Sequence, residues 1–295
     1  MSDLLNNPAP RSRLRELLNE PTPLIAPGAY DALSARLVEQ SGFEAVYMTG
    51  FGATAGLIGR PDVGLLSATE MADNARRIVA AVDVPVIADA DTGYGNALNV
   101  LRTVKLYEQA GVSALQLEDQ VTPKRCGHMS GKQVVSQQEM LGKIAAALDA
   151  RHDTDFLIIA RTDAAAVEGV DSAIERAHAF AAAGADVLFV EAPSSIDDIT
   201  RIATELAGVA PLVFNSAEGG KTPPLPLKRL EELGFSLVLY PISTLLAATA
   251  GMQSILATIR RDGSPQAALS KLPTFDEFTT TVGLAEIGEL EQRYR

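Results

Sequence analysis

The stretch AGVSALQLEDQ, Ala110 to Gln120, contains the unit from which this chain is built. Gly111 follows an alanine-containing segment of helical character, and glycine is common at the end of a helix. A short apolar run then begins at Ala114 and ends on two acidic residues, Glu118 and Asp119. An apolar run bounded by a helix end and by charge is typical of a buried β-strand.

Runs of this kind occur eight times along the chain, with helix signals between them. Capping boxes begin at Ser67 and Ser136, and glycines in AGAD (183–186) and LGFS (233–236) mark helix ends before strands. No linker rich in Pro, Gly or Ser interrupts the alternation. The eight runs are PLIAP (23–27), AVYMT (45–49), PVIADAD (85–91), ALQLED (114–119), FLIIART (156–162), VLFVEAP (187–193), LVFNS (212–216) and LVLYP (237–241).

Eight alternations of strand and helix predict one α/β domain, a single (β/α)8 barrel of the TIM type over residues 1–295. We expect an N-terminal helix before the first strand and a helical appendage from about residue 265, in which TFDE (274–277) caps a helix. A doubly wound sheet with a helical tail is the alternative that the same elements allow.

The composition excludes several classes of protein. A net charge of −12 argues against a nucleic-acid surface, because phosphate binding needs a basic stripe. One cysteine and three histidines exclude a disulfide scaffold and a Cys/His zinc cage. Neither Met1–Arg13 nor any later segment has the apolar length of a leader or a membrane span, so we expect a soluble cytoplasmic protein.

In a barrel of this type, functional side chains come from the carboxyl ends of the strands. Polar or distinctive residues stand there after seven of the eight predicted strands. Buried polar groups need compensation by a cation or by hydrogen bonds, so we expect this set to converge on one site. The residues are Thr49 and Gly50, Asp89 and Asp91, Glu118 and Asp119, Arg161, Glu191, Asn215, and Tyr240 with Pro241.

Three of these strand-end residues are candidate metal ligands. Asp89 and Asp91 are two positions apart and share a face of their strand, and Glu118 ends the neighbouring strand. Oxygen ligands without His or Cys suit a hard cation. The pattern therefore predicts a site for Mg²⁺, with Mn²⁺ possible.

The single cysteine, Cys126, lies in a polar loop after the fourth strand, within PKRCGHMSGK (123–132). We expect Lys124, Arg125 and His128 to stabilise its thiolate and lower the thiol pKa, which would make it a ready proton donor. Glycines within the loop would let it close over a bound anion as a cationic lid.

One glycine motif is a weak match to a nucleotide site. GFGATA (50–55) follows a strand and formally fits the dinucleotide fingerprint. The next helix signal, however, is the cap at Ser67, so we predict no helix directly after this motif. On that ground we expect no nucleotide cofactor.

The chain resembles the isocitrate lyase/phosphoenolpyruvate mutase superfamily over nearly its whole length. Within it, the chain is most similar to the group of 2,3-dimethylmalate lyases, methylisocitrate lyases and carboxyphosphonoenolpyruvate mutases. The run Lys-Arg-Cys-Gly-His is specific for the lyases. The motifs that carry the resemblance are DADTGYGN (89–96), LEDQ (117–120), PKRCGHMSGK, IIARTDA (158–164), VEAP (190–193), EGGKTP (218–223) and LYPIS (239–243).

The resemblance implies a role for each site residue. Arg161 would polarise the substrate oxygens, and Cys126 would be the catalytic acid. The resemblance also implies a homotetramer that exchanges its C-terminal helix between neighbours. The implied metal shell, mostly through water, is Asp62, Asp89, Asp91 and Glu118. The implied substrate contacts are Tyr47, Thr49, Gly50, Asp89, Arg161, Asn215 and Pro241, and the remaining catalytic set is Lys124, Arg125, His128 and Glu191.

The implied activity is Mg²⁺-dependent cleavage of a substituted malate to an α-keto acid, such as pyruvate, and a carboxylic acid. Met129 after the Cys-Gly-His run favours a dimethylmalate-like substrate, with methylisocitrate second, because methylisocitrate lyases tend to have Arg-Pro there. A phosphonate mutase, an oxaloacetate hydrolase and a barrel that only binds small acids are the alternatives. Pro241 weakens the hydrolase alternative, because those enzymes typically have Ser at this position.

Overall fold

The computed structural model describes residues 10–295, and it confirms the predicted (β/α)8 barrel with flanking helices. Residues 1–9 lie outside the described part. The expectation of no leader, which was made on residues 1–13, therefore falls mostly outside the described residues. Eight parallel strands form one closed sheet in chain order. They are β1 Leu24–Ala29, β2 Val46–Met48, β3 Val86–Asp89, β4 Ala114–Glu118, β5 Leu157–Thr162, β6 Val187–Val190, β7 Leu212–Asn215 and β8 Leu237–Tyr240.

The first and last strands close the sheet. Leu24 of β1 pairs with Leu237 of β8 in parallel register, so neither strand has a free edge. At the other end of the strands, Glu118 of β4 lies beside Arg161 of β5. This register brings the acidic and basic strand ends onto the same rim of the barrel.

The helices begin and end largely where the sequence signals predict. Ser67 and Glu70 form the expected reciprocal capping box, and Gly111 ends a helix in the left-handed conformation at φ 92°. The helices are α1 Ser12–Leu18, α2 Ala32–Gln40, α3 Gly50–Ile58, α4 Ala68–Val79, α5 Ala97–Ala110, α6 Gln137–Ala150, α7 Val170–Ala182, α8 Ile196–Glu205, α9 Leu227–Glu232, α10 Ser243–Asp262, α11 Phe275–Thr281 and α12 Leu284–Arg293.

The barrel interior is filled from one end. Leu14, Leu17 and Leu18 of α1 pack into the same buried cluster as the inward-facing strand residues, among them Ile87 and Phe189. A second core lies between the strands and the outer helices. Because α1 closes the amino-terminal end, only the carboxyl end is left for a site. No helix within residues 10–295 has both the length and the apolar character needed to cross a membrane.

Candidate active site

A cavity of about 230 Å³ lies at the carboxyl ends of the strands. It brings together most of the predicted site residues, although they come from separate strand ends and loops. Eight residues that were not predicted also line it: Phe51, Gly127, Met129, Ala217, Glu218, Gly219, Gly220 and Ile242. The predicted residues that line it are Tyr47, Thr49, Asp62, Asp89, Lys124, Cys126, His128, Arg161, Glu191, Asn215 and Pro241.

Three predicted residues lie directly behind this lining. Gly50 has no room for a side chain, since an added Cβ would be 2.5 Å from Oδ2 of Asp89. Asp91 is buried, with Oδ1 2.9 Å from Nζ of Lys124. Glu118 is 1% exposed. None of the three lines the cavity, but each lies against a residue that does.

Arg125 is another predicted site residue that lies outside the cavity. Its side chain is exposed and lines a separate surface depression with Thr122 and Gln133. Its backbone is fixed instead, because the N–H of Arg125 donates to Gln120 Oε1 at 3.0 Å and its carbonyl accepts from Gln120 Nε2 at 2.8 Å. The guanidinium of Arg125 therefore lies outside the cavity in this structure, and its implied catalytic role stays a prediction.

The helix α3 begins directly at Gly50, so the expectation that no helix follows the second strand was wrong. Thr49 caps it, with Oγ1 accepting from the Gly52 N–H at 3.3 Å. The first N–H groups of a helix have no partner within the helix and favour an anion. Tyr47 is buried behind this turn and donates to Gln116 Oε1 at 3.2 Å; burial raises its pKa well above the usual value, so its hydroxyl stays protonated.

Carboxylates outnumber cations among the buried side chains that line the cavity or contact its lining. Burial raises the pKa of Asp89 and Glu118, and it raises that of Asp91 to about 7, even though Lys124 lowers it. An excess of buried negative charge needs a cation or protons. The carboxylates are Asp62, Asp89, Asp91, Glu118, Asp163 and Glu191, and the cations are Lys124, Lys132 and Arg161.

These oxygens fit a hard cation held through water. Glu118 Oε1 is buried without a hydrogen-bond partner among the described residues, and Asp91 Oδ1 lies within ion-pair distance of Lys124 but outside hydrogen-bonding geometry. Within residues 10–295, no three acidic, His or Cys side chains surround one point closely enough to bind an ion directly. Mg²⁺ retains several waters in proteins and is bound by few direct carboxylates.

Arg161 is the cation at the centre of the opposite wall. Its guanidinium donates through Nε to Asp163 Oδ2 at 2.9 Å and through Nη2 to Asp163 Oδ1 at 3.1 Å. Its Nη1 lies 3.1 Å from Glu191 Oε2 and its Nε 3.3 Å from Glu118 Oε2. Asn215 Nδ2 also donates to Glu191 at 3.2 Å. The arginine is therefore held in one orientation by three carboxylates.

The loop of residues 120–133 covers the cavity in this structure. The N–H of Cys126 donates to the carbonyl of Asp62 at 3.2 Å, and Lys124 Nζ lies 2.7 Å from Asp62 Oδ2. Gly127 is seated on the opposite wall, where an added Cβ would be 2.5 Å from Nη2 of Arg161 and 2.6 Å from Cγ of Glu191. A side chain at position 127 would therefore prevent this closed arrangement.

His128 joins the Cys126 loop to the EGGKTP segment. Its Nδ1 accepts from the N–H of Lys221 at 3.0 Å, so a neutral imidazole carries its proton on Nε2. That Nε2 lies 3.2 Å from Oε1 of Glu191. Gly220 leaves room for the ring, because a Cβ there would be 2.8 Å from two of its atoms.

The predicted lowering of the Cys126 pKa was wrong. Burial raises the pKa of the thiol, and the carboxylates of Asp62 and Glu191 add to that effect, although the N–H of His128 and the guanidinium of Arg161 oppose it. The nearby positive charge is already engaged, because Lys124 is paired with acidic groups and the side chain of Arg125 points away.

Two charged residues behind the cavity lining, Asp163 and Lys132, were also missed, because the contact between them spans 31 residues of the chain. Asp163 lies two positions after Arg161, and this spacing in IIARTDA was the only local signal for their contact. Lys132 ends PKRCGHMSGK, and its Nζ lies 2.7 Å from Asp163 Oδ1. Neither position could be linked to the other from the sequence without the fold.

The comparisons with known proteins identify the family of the chain. The family model described as phosphoenolpyruvate phosphomutase matches residues 14–260. The 2,3-dimethylmalate lyase of Eubacterium barkeri is 47% identical over 283 residues, which cover 96% of this chain and 97% of that protein.

Solved structures give the same family. A crystal structure of 2,3-dimethylmalate lyase superposes with a TM-score of 0.92 at 37% identity, covering 98% of this chain and 96% of the other. Phosphonopyruvate hydrolase in complex with oxalate and Mg²⁺ gives 0.88 at 33% identity, covering 100% and 99%. The resemblance inferred from the motifs is thus confirmed: the chain belongs to the phosphoenolpyruvate phosphomutase family and is an enzyme of the isocitrate lyase/phosphoenolpyruvate mutase superfamily.

Proposed function

We propose that this enzyme is a Mg²⁺-dependent carbon–carbon lyase. Its substrate would be a substituted malate such as 2,3-dimethylmalate, and its products pyruvate and a carboxylic acid. The observation that carries the proposal is the position of one thiol: Cys126 lines the same cavity as Arg161, with the acidic cluster of Asp62 and Asp89 beside it. A proton donor, an anion-binding cation and a cation-binding cluster are the groups that this cleavage needs.

The charges in the cavity support an alkyl-substituted dicarboxylate over a tricarboxylate. Among the described lining residues the basic side chains are Lys124, Arg161 and His128, and each lies within 3.3 Å of a carboxylate oxygen. None is left over to pair with a third carboxylate of the substrate. Apolar side chains are available for alkyl groups instead. They include Phe51, Met129 and Ile242.

The cation would be held by Asp62, Asp89, Asp91 and Glu118, largely through water. When bound, Mg²⁺ would lower the pKa of the substrate's 2-hydroxyl group and bind its carboxylate. The hydroxyl proton would pass to a cavity carboxylate, Asp62 or Asp89, which later releases it to solvent, and the C2–C3 bond breaks as that proton leaves. The electron pair of that bond passes to C3, where the adjacent carboxylate delocalises it, and C2 becomes the carbonyl carbon of pyruvate.

The chain's own residues then stabilise charge and supply a proton. Arg161 and the Nε2–H of His128 lie where they can bear the negative charge on the departing half. The N–H groups at the start of α3, after Thr49, would hold the carboxylate of the half that becomes pyruvate. The thiol of Cys126 gives its proton to C3, which yields propionate from 2,3-dimethylmalate and leaves a thiolate that solvent reprotonates.

A substrate panel tests the proposal. Substituted malates, methylisocitrate, oxaloacetate and a carboxyphosphonate would be supplied with Mg²⁺, with and without EDTA, and pyruvate, oxalate and phosphonate products measured. EDTA-sensitive pyruvate release that is fastest from a dialkylmalate supports the proposal. Turnover of only the carboxyphosphonate or only oxaloacetate would replace it with the mutase or hydrolase alternative. Binding without turnover of any acid would leave a barrel that only binds.

Assembly as a homotetramer with exchanged C-terminal helices stays a prediction, as does a cytoplasmic location. The assembly is supported by apolar side chains that the C-terminal helices leave exposed, since contiguous apolar surface is typical of interfaces. Light scattering of the purified protein measures the mass directly. The exposed residues include Leu246, Met252, Leu256, Phe275, Phe278, Leu284 and Ile287.

A further inference from the structure

Lys132 is a buried ammonium group that lies outside the cavity lining. Its side chain is 2% exposed, and the carboxylate that it contacts, Asp163, is fully buried. Nζ donates to two acceptors, the carbonyl oxygen of Gly127 and Oδ1 of Asp163. A buried lysine needs such acceptors, because burial without them is costly. The choice of these two acceptors is informative, because they belong to opposite sides of the closed site.

One acceptor belongs to the covering loop. Gly127 lies between Cys126 and His128, so its carbonyl fixes the peptide next to the thiol. The loop is pinned at its base, where the N–H of Val121 donates to the carbonyl of Gln133 at 2.8 Å. Lys132 is next to Gln133 at this base, and its side chain extends to the Gly127 carbonyl at the tip. It therefore links the tip of the loop to the base of the loop.

The other acceptor belongs to the fixed wall. Asp163 receives both Nε and Nη2 of Arg161, and its own N–H donates to Asp119 Oδ1 at 2.8 Å. Burial would raise the pKa of Asp163, but Arg161 and Lys132 outweigh it and lower that pKa to about 2. The carboxylate is therefore ionised, and a hydrogen bond between charged partners is stronger than a neutral one.

We propose that Lys132 is a positioning residue that holds the Cys126 loop closed against the Asp163–Arg161 pair. It would act on the reaction through Gly127, by keeping the thiol over the cavity, without touching the substrate. The proposal deepens the proposed lyase function, on which its catalytic consequence rests. The closure itself can be tested without any substrate.

The test is the rate at which iodoacetamide labels Cys126, which is the only cysteine in the chain. Labelling should be slow in the wild type, because the closed loop half-buries the thiol. Lys132→Met should speed it about tenfold or more, which corresponds to about 1.4 kcal/mol of lost closure. Lys132→Gln keeps two N–H donors but loses the positive charge and is shorter than lysine, so an intermediate rate is expected, and this variant serves if Lys132→Met does not fold.

The matched control is Lys143→Met. Lys143 is also buried, and its Nζ donates to the carbonyl of Thr92, outside the covering loop. In Lys143→Met, iodoacetamide should label Cys126 at the wild-type rate, even if the melting temperature of this variant falls as far as that of Lys132→Met. Wild-type labelling in the Lys132 variants, or equally fast labelling in Lys143→Met, would overturn the proposal. Neither result bears on which acid the enzyme cleaves, so failure of the lyase function is seen separately in the substrate panel.

Discussion

The N–H of Cys126 donates to the backbone carbonyl of Asp62 over 3.2 Å, which holds the thiol above the acidic side of the cavity. The local surroundings of Cys126 are therefore more acidic than the sequence around it, where two basic residues precede it. Burial and the carboxylates raise the thiol pKa, so the thiol keeps its proton at neutral pH. A group that must donate a proton needs that state.

The first prediction is a high apparent pKa for Cys126. Alkylation requires the thiolate, so the labelling rate should rise with pH through a midpoint above that of an ordinary thiol, about 8.5. The measurement is the pH profile of iodoacetamide labelling in the folded enzyme, with a small free thiol as the control. A midpoint at or below that of the free thiol would show that the cationic neighbours lower the thiol pKa by at least as much as burial and the carboxylates raise it.

The second prediction concerns proton transfer. Cys126→Ser should lower turnover by roughly 10²–10⁴-fold, because a serine hydroxyl is a far weaker acid than a thiol. Pyruvate and Mg²⁺ should still bind, since the proposed contacts for them come from Thr49, Asp89 and Arg161. Steady-state kinetics and calorimetry on the same preparation separate the two effects. Near-normal turnover in this variant would leave the thiol without a catalytic role.

The third prediction separates stability from activity at Glu118. Its Oε1 has no hydrogen-bond partner among residues 10–295, and Arg161 keeps Asp163 and Glu191 as partners without it. Glu118→Gln should therefore stabilise the EDTA-treated protein by about 0.5–2 kcal/mol. The same change should lower Mg²⁺-dependent turnover by roughly 10–100-fold or more. Thermal melts measure the stability, and steady-state kinetics measure the turnover. Full activity of Glu118→Gln that EDTA does not reduce would exclude the metal site.

The fourth prediction tests the contact between the two loops. Gly220→Ala would place a methyl group 2.8 Å from the His128 ring, so the ring must shift from its present position beside Glu191. We expect kcat/KM to fall by about tenfold or more, since misplacement of a positioned group is costly. Gly142→Ala, in α6 with nothing within 4 Å of the new methyl, is the control and should be neutral or slightly stabilising. Equal kcat/KM values in the two variants would show that the reaction does not depend on the position of His128.

The strand ends were predictable because their position follows from a local pattern. Seven of the eight apolar runs end on or beside a candidate functional residue, and a parallel barrel puts all such ends on one rim. Asp89, Arg161 and Glu191 were found in this way. The helix α3 was missed because four of the six residues of GFGATA, two of them glycines, have low or moderate helix propensity, and no acidic cap precedes them. Only Thr49 signals the start of the helix.

The charge state of the site was not predictable, because it depends on which groups pair across the fold. Arg125 and Lys124 are neighbours in sequence, yet one is exposed and the other is 4% exposed between two aspartates. The thiol pKa follows from that difference. The link from Lys132 to Gly127 and Asp163 likewise appears only when the loop is folded over the cavity.

The most direct test of the lyase function is pyruvate release from 2,3-dimethylmalate by the wild-type enzyme. With Mg²⁺ we predict one pyruvate and one propionate for each substrate consumed, and no release after EDTA treatment until Mg²⁺ is restored. Absence of pyruvate from every substituted malate, in an enzyme that is folded and supplied with Mg²⁺, would contradict the account.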